Sequence, residues 1–442
     1  MSVPLDRLYN HLDGLCNHDV VIYRFYPHGS KKLTDLLPLK DVDQNGWRHR
    51  IKNPGAICHD QEPLFFDQYS ETDMLNFFIS HSPKIIENPD SVARVQVLIK
   101  DQHLRSAIGT RHSIYDKTIL VHSEKNSPNL VKYENVGFVG VYWWAHAAIA
   151  IDWYRYAQYD ISLIPNFDSI QKDFLIYNRA WAGTREYRLK FTELLVNAGL
   201  HKHCITTFNA ESEGKNYKEF SPNNSAFKIQ RNDLQDYFNL CTVDANASAD
   251  YDNQDYQHSA IEVVLETLFD DTRWHLTEKS LRPIACGRPF MLAATPGSLQ
   301  YLRNYGFKTF DGLVDESYDN IVDPVQRLEA ICIEMQRISQ LTSDQKQDLR
   351  EKLYSIAKYN QQLFFSKSWQ ELIFDEFTAN FKLGMDKLNQ SKTGKYWRKF
   401  QQSWTADPEQ FKLADASSVA SMQHQAEVEQ LINQQSQPTK SI

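Results

Sequence analysis

One short stretch of the chain, from Trp274 to Pro283, gathers residue types that can bind a phosphate and a ribose. Thr277 is placed to cap a helix start, and Glu278 beside it can accept hydrogen bonds from ribose hydroxyls. Lys279 and Arg282 are three residues apart, so both cations can face a phosphate from one side of a helix. The same spacing is typical of a capped surface helix with a solvated charged face, and charge spacing alone favours that simpler interpretation.

The elements that must position this stretch alternate between short apolar runs and helical patterns. Strands alternating with helices predict an α/β protein with mostly parallel sheets and right-handed crossovers. The pattern restarts near residue 165, which predicts two Rossmann-like domains, 1–165 and 166–385, the second ending in long helices that brace the domains. A basic and aromatic extension with a Ser/Gln-rich tail, predicted to be disordered, follows over 386–442. The clearest predicted strands are Val20–Phe25, Gly55–Cys58, Thr118–His122, Asp173–Asn178, Ile261–Phe269 and Pro289–Ala293.

Composition and charge exclude several classes of protein. The 442 residues suit two domains rather than one core, and the formal charge of −8 argues against nucleic acid as the default partner. The six cysteines form neither a zinc pattern nor a disulfide framework, which favours a reducing cytoplasm. We expect no signal peptide, no membrane span and no essential metal. The absence of Walker A, G-x-S-x-G, G-x-G-x-x-G and H-E-x-x-H motifs disfavours kinases, hydrolases, dehydrogenases and metalloproteases.

The run H-L-T-E-K-S-L-R-P that begins at His275, with Gly297-Ser298-Leu299 after it, resembles the donor-binding T-E-K motif of the α-1,3-fucosyltransferases. It is also similar to glycosyltransferase-like proteins of bacteriophages, and the match covers roughly residues 260–320. The resemblance implies a GT-B fold, in which two parallel sheets face a cleft, and a nucleotide-sugar donor such as a GDP-sugar, with no further cofactor. In the fucosyltransferases the Glu of the motif contacts the donor ribose and the Lys contacts phosphate, which implies these roles for Glu278 and Lys279.

A second basic element, Asn178–Arg188, follows a predicted strand with a glycine-containing loop and a helix start. Such a place at a strand end commonly faces nucleotide phosphates. The element resembles the family's strand–loop–Arg element, in which an arginine neutralises the pyrophosphate, and Arg185 is a better candidate for this role than Arg179. An ordinary helix with arginines facing solvent explains each of them equally well. The donor-side candidates are therefore Glu278, Lys279, Arg282, Thr277, His275, Arg185, Arg179 and Asn178.

The first domain should supply the acceptor site and a general base, which is a carboxylate within hydrogen-bond reach of the acceptor hydroxyl. Polar residues crowd after the strand Gly55–Cys58, where Glu62 or Asp60 is the candidate base and His59 can orient it. A strand-end turn is also simply a place where polar residues collect. The acceptor-side alternatives are His122 and Glu124, after another strand, and His146 with Trp144, which can line a sugar subsite unless His146 is a core or interface histidine.

Together these features predict a cytoplasmic glycosyltransferase, in the host cytoplasm if phage-encoded, that moves a sugar from a nucleotide sugar to a glycan hydroxyl with inversion. One alternative is a phage enzyme that glycosylates hydroxymethylated DNA bases. The basic-aromatic stretch Lys395–Lys399 favours it and the net charge disfavours it. The other alternative is a non-catalytic module on the same fold that binds a glycan or a protein.

Overall fold

Two five-stranded sheets organise the part of the chain that the structure describes. The computed structural model describes residues 22–24, 47–49, 56–60, 118–128, 130, 139–212, 214–240 and 247–390. The candidate base Glu62 and the basic-aromatic stretch Lys395–Lys399 lie outside these residues. Among the described helices, none combines the length and the apolar character that crossing a bilayer requires.

The first sheet contains β1 (Ile22–Arg24), β2 (Trp47–His49), β3 (Ala56–Asp60), β4 (Thr118–His122) and β5 (Val139–Tyr142). Its order is β2-β1-β3-β4-β5, and every neighbouring pair is parallel except β1 and β2. β4 has the predicted bounds, whereas β3 continues two residues beyond its predicted end, so His59 and Asp60 belong to the strand rather than to the turn after it. Asp60 is opposite His122, and His122 is opposite Tyr142, which aligns the carboxyl ends of three strands.

The second sheet contains β6 (Lys172–Asn178), β7 (Cys204–Phe208), β10 (Asn239–Leu240), β11 (Ser259–Leu265) and β12 (Phe290–Ala293), and a separate hairpin pairs β8 (Glu211–Ser212) with β9 (Lys215–Asn216). All its strands are parallel and the order is β10-β7-β6-β11-β12. In chain order this is 3-2-1-4-5, the order of doubly wound nucleotide-binding sheets. The predicted α/β class is confirmed. The strand order reverses between β6 and β11, and ligands bind outside the carboxyl ends of strands at such a point.

The described helices are α1 (Ala145–Trp153), α2 (Tyr187–Asn197), α3 (Asn253–His258), α4 (Glu278–Ala285), α5 (Ser298–Asn304), α6 (Pro324–Ser339), α7 (Ser343–Phe364) and α8 (Lys367–Gln390). Short polar side chains set several of their starts. Asp323 caps α6, with Pro324 in its first turn, and Thr342 and Gln345 form a capping box at α7. In both helices a side chain therefore satisfies backbone amides of the first turn, which have no partner within the helix.

The last described helix, α8, packs against the first sheet. The indole nitrogen of Trp143 donates to the carbonyl of Ile373 over 2.8 Å, and the Asn380 amide donates to the carbonyl of Tyr142 over 2.7 Å. The Trp143 ring centroid lies 4.6 Å from that of Phe377. Because β5 and α1 are joined through Trp143, the helix holds the segment that leads into the candidate site.

Candidate functional site

Glu266, the first residue after β11, fixes the start of α4. Its Oε1 accepts hydrogen bonds from the amides of Thr277 (2.9 Å) and Ser280 (3.2 Å) and from the Ser280 hydroxyl (2.6 Å). Its Oε2 accepts from the Thr277 hydroxyl (2.9 Å) and the Thr267 amide (3.0 Å). Two amides at the helix start therefore already bind a carboxylate of the protein. A phosphate at this edge would therefore have to bind side chains rather than these two amides.

Glu278 and Lys279 form a pair at the first turn of α4. Thr277 caps the helix as predicted, its hydroxyl accepting from the Lys279 amide over 3.3 Å. Oε1 of Glu278 accepts from the Lys279 ammonium and from the Ser248 hydroxyl, each over 2.6 Å. Burial opposes the charge of Glu278, but Lys279 and His146 outweigh it and hold the pKa of this carboxyl well below its usual range. The Glu278 side chain is 4% exposed and that of Lys279 is 14% exposed, so the ammonium is the more accessible member.

A three-residue segment, Ala247–Ala249, supports this pair. The carbonyl of Ser248 accepts from Arg282 over 2.5 Å, while its hydroxyl donates to Glu278. The neighbouring carbonyls accept from Arg179 and from the Tyr154 hydroxyl, the latter over 2.8 Å. The sequence gives no signal for Ser248, which lies in a polar stretch that predicts only a loop. Its contacts show that the segment fixes the position of the Glu278 carboxylate.

Arg282 is buried beneath Glu278 rather than placed beside Lys279. Its guanidinium pairs with Glu262 of β11 and lies over the Tyr177 ring, 4.7 Å from the centroid. Burial disfavours the charge of Arg282, but Glu262 outweighs it and raises the pKa well above its usual value. The predicted arrangement, with both cations of α4 toward one phosphate, is therefore corrected. Arg282 supports Glu278 from within the protein, and Lys279 is the α4 cation that reaches solvent.

The second basic element sits at the carboxyl end of β6. Asn178 ends the strand, and its amide nitrogen donates to the Thr192 hydroxyl over 3.0 Å. The guanidinium of Arg179 lies over the Tyr177 ring, 4.6 Å from the centroid, and reaches the carbonyl of Ala247. Arg185 donates to the carbonyl of Ala182, within its own turn, over 3.2 Å. The contacts thus join Arg179, the lower-ranked candidate, to the segment that supports Glu278.

Arg188, for which the sequence predicts no separate role, connects the two central strands. It donates to the carbonyl of Ala180, after β6, over 2.7 Å. It also donates to the carbonyls of Leu265 and Glu266 at the end of β11, over 2.7 and 3.0 Å. An arginine that spans the point where the strand order reverses keeps this edge of the sheet in one geometry.

Two histidines from distant parts of the sequence meet beside Glu278. His146 lies in the first turn of α1, and its Nε2 is 3.9 Å from Oε2 of Glu278. The rings of His146 and His275 contact edge to face with centroids 5.0 Å apart. Nδ1 of His275 is buried and has no hydrogen-bond partner in the described part of the chain. Burial and the neighbouring His146 hold the pKa of His275 well below its usual value, so this imidazole is neutral at pH 7.

Glu124 belongs to the loop 123–127, which follows β4 and contacts the segment before α4. Its Oε2 accepts from Arg273 over 2.8 Å and from Ser127 over 3.3 Å, and Nε2 of His122 lies 3.3 Å away. Burial opposes the charge of Glu124, but the hydrogen bond with His122 and nearby positive charges lower its pKa. Lys125 and Trp274 exchange backbone hydrogen bonds of 2.9 and 3.1 Å.

The structure thus brings the acceptor-side candidates His122, Glu124 and His146 to the donor-side segment of His275 and Glu278. β3 places Asp60 opposite His122 and His59 opposite Val121, at the same edge of the first sheet.

Trp144 is a core residue. Its ring is fully buried, its indole nitrogen donates to the carbonyl of Leu276 over 2.7 Å, and it packs against Tyr301 and Tyr305 with centroids 5.1 and 4.7 Å away. A ring with no exposed face cannot stack on a sugar, so the predicted role of Trp144 in a sugar subsite is corrected. Trp144 instead fixes the backbone between His275 and Thr277.

No family model, curated protein or solved structure matches this chain. Within the described residues, no group of three or more His, Cys, Asp or Glu side chains is arranged to hold a metal ion. The fold defines the class: an α/β protein whose second sheet has the strand order of nucleotide-binding domains.

Proposed function

We propose that the protein is a glycosyltransferase of the GT-B type that takes its sugar from a nucleotide-sugar donor. One observation carries the proposal. Glu278 and Lys279 stand at the start of α4, which Glu266 anchors to the carboxyl end of β11, where the strand order of the second sheet reverses. This is the place at which sheets of this type bind nucleotides.

The chemistry of the pair suits such a donor. In transfer to a hydroxyl, the acceptor oxygen attacks the anomeric carbon while the bond from that carbon to the diphosphate oxygen breaks. The diphosphate leaves with the electron pair, so negative charge builds on its oxygens. The Lys279 ammonium, partly exposed, can stabilise that charge, and Arg179 is the second cation joined to the site. Glu278, held ionised, can accept hydrogen bonds from hydroxyl groups.

The first sheet is the proposed acceptor side, with a glycan as the proposed acceptor. The residues that it contributes lie at the edge where β4 ends at His122, opposite Asp60 on β3, and leads into the loop 123–127. The backbone bridge between Lys125 and Trp274 sets this loop against the donor segment. In a GT-B enzyme the acceptor hydroxyl would approach from this side, and a carboxylate near it would take the proton.

Nucleotide binding tests the proposal directly. A ligand that binds only the folded state raises the melting temperature, by an amount equivalent to about 2.7 kcal/mol at a concentration of 100 Kd. We expect a shift with at least one of GDP, UDP, TDP and CMP or their sugar conjugates. Lys279→Ala should weaken that binding by roughly ten- to a hundredfold, since a hydrogen bond to a charged group contributes about 1.5–3 kcal/mol.

Lys352→Ala is the matched control, because this lysine is 55% exposed and forms an ion pair with Asp348 on the surface of α7. It should bind nucleotide as the unmodified protein does. A complete absence of shifts, or a Lys279→Ala variant that binds as tightly as the control, would contradict the proposed function.

A further inference from the structure

A second group of charged side chains lies at the amino-terminal end of β6. Asp173 is the second residue of this strand. At about 3.3 Å per residue, it lies roughly 16 Å from the carboxyl end, where the candidate donor site begins. Three side chains surround its carboxylate: Lys346 and Arg350 from α7, and His203 from the turn before β7. This group, the Asp173 cluster, is therefore distinct from the residues around Glu278.

One oxygen of the Asp173 carboxylate takes the hydrogen bonds of this cluster. Oδ2 accepts from the Lys346 ammonium over 2.7 Å and lies 3.1 Å from Nδ1 of His203. Oδ1 accepts no hydrogen bond from any described residue. A nitrogen of the Arg350 guanidinium lies 3.8 Å from Oδ1, which is too far for a hydrogen bond. Oδ1 is therefore available to a further donor.

The Arg350 guanidinium is largely buried, yet it forms no hydrogen bond with the part of the chain that the structure describes. Its side chain is 17% exposed, and that of Lys346 is 18% exposed. A guanidinium has five N–H donors, and polar groups that leave water nearly always find hydrogen-bond partners. Arg350 and Lys346 also carry two positive charges against the single negative charge of Asp173. Both features point to an anionic ligand.

The position of Oδ1 decides which anion fits. An anion between Arg350 and Oδ1 of Asp173 must accept from the guanidinium and donate to the carboxylate. Inorganic hydrogen phosphate can do both, because it carries charged oxygens and one hydroxyl. Sulfate has the same charge but no hydroxyl, and at about pH 8 a phosphate monoester has lost its acidic proton as well. Neither of these anions can donate to the carboxylate, so Oδ1 would repel both.

We propose that the Asp173 cluster is a binding site for inorganic phosphate. Arg350 donates to two phosphate oxygens in the bidentate manner that suits a guanidinium. Lys346, which uses one of its three N–H groups on Asp173, donates with another. The phosphate hydroxyl donates to Oδ1 of Asp173. This site lies apart from the candidate donor site and does not require the proposed function.

Titration calorimetry at about pH 8 with phosphate, sulfate and methyl phosphate tests the site. The full chain should bind phosphate about tenfold or more tightly than the other two anions, because each of them lacks one hydrogen bond to a charged group. Arg350→Gln should weaken phosphate binding by roughly tenfold or more for the same reason. Lys352→Gln is the matched control, since it removes one positive charge from the exposed surface of the same helix, and it should change the affinity by less than about twofold.

Asp173→Asn tests the selectivity. The substitution removes the negative charge and can turn an N–H donor toward the anion. Sulfate and methyl phosphate should therefore bind about tenfold more tightly than they bind the unmodified protein, and the preference for phosphate should fall toward one. A carboxylate with a purely structural role would instead give a variant that loses all three anions together. The melting temperature reports whether each variant is folded, and Arg350→Gln decides the test if Asp173→Asn is not.

Three results would overturn the inference. In the first, the full chain shows no saturable binding of phosphate. In the second, Lys279→Ala abolishes phosphate binding and Arg350→Gln retains it, which assigns the phosphate to the candidate donor site instead. In the third, the full chain binds the three anions equally, or a folded Asp173→Asn variant keeps the preference for phosphate. The proposed function is judged separately, by the binding of nucleotides and nucleotide sugars.

Discussion

Replacing Glu266 by Gln is expected to destabilise the second sheet and its attached helix α4. The carboxylate is fully buried and accepts five hydrogen bonds, three of them from backbone amides. A Gln amide would place its own nitrogen where Oε1 or Oε2 stands. If the Gln nitrogen occupies the Oε2 position, it faces the Thr267 amide. Both groups are hydrogen-bond donors, so the Thr267 amide loses its acceptor.

The magnitude follows from these contacts. One buried amide without an acceptor costs about 1–3 kcal/mol, and the remaining bonds lose their charge assistance. Removing a negative charge from a helix start costs a further ~0.3–1 kcal/mol. We therefore expect Glu266→Gln to lower the free energy of unfolding by about 2–4 kcal/mol. Glu266→Ala, which strands the amides of Thr267, Thr277 and Ser280, should lower it by roughly 3–6 kcal/mol.

Thermal denaturation followed by circular dichroism measures the effect. At about 2–4 °C per kcal/mol for a domain of this size, Glu266→Gln should lower the melting temperature by roughly 4–16 °C. Amide hydrogen exchange at Thr277 and Ser280 should also accelerate. Glu351→Gln is the control, since this exposed residue of α7 accepts a hydrogen bond from Gln347 at the surface, and it should change stability by less than about 0.5 kcal/mol. If Glu266→Gln is as mild as the control, the carboxylate does not fix the start of α4 and the reasoning fails.

Two further predictions concern Gly297, in the turn after β12, and Asp319, whose carboxylate binds the first turn of α5. Gly297 has φ +80°, and an added Cβ would lie 3.3 Å from the Trp274 indole nitrogen, whereas Gly214, at φ +74°, has open space around it. Gly297→Ala should therefore cost about 1–2 kcal/mol more than Gly214→Ala in denaturant unfolding, and equal costs would contradict the Trp274 contact. Burial raises the pKa of Asp319, which accepts from the Leu299 amide over 3.1 Å, to about 6. A raised folded-state pKa favours the folded protein below about pH 4, and this stability is lost as the pH rises through 6, by at most roughly 3 kcal/mol. Asp319→Asn should flatten that part of the pH–stability curve, and an unchanged curve would refute the assignment.

Three strands of the second sheet, β6, β11 and β12, could be predicted from the sequence because almost every residue in them is buried. Continuous apolar runs mark such strands, and β6 and β12 each lie within one residue of their predicted bounds. β11 was predicted to continue to Phe269, because Glu266 and Thr267 interrupt the apolar run only briefly. The strand ends at Leu265, since the Glu266 side chain turns to bind the start of α4. Thr277, the residue that Glu266 binds, lies eleven residues further along the chain, and no local sequence pattern predicts this contact.

The site was predictable in its residue types but not in its partners. The motif around Glu278 and Lys279 is local, so its cap and its adjacent charges follow from spacing. The role of Arg282 depends on Glu262, a charge within the apolar run of β11. A charged residue in a fully buried strand needs a buried counter-charge, and this was the one signal that favoured a structural Arg282. Arg188 binds backbone carbonyls, which any sequence supplies, and the Ser248 hydroxyl binds a carboxylate that lies far along the chain, so neither role has a local signal.

The buried Arg282 gives the site its fixed geometry. Its guanidinium connects Glu262 of β11 to the carbonyl of Ser248, and the Ser248 hydroxyl in turn binds Glu278. The side chains of Arg282 and Ser248 thereby fix the Glu278 carboxylate relative to the central strand β11. Binding sites gain from such support, because a preorganised group loses little conformational entropy when the ligand arrives. An arginine exposed to solvent would add one charge at the surface, whereas the buried Arg282 fixes the position of the Glu278 carboxylate.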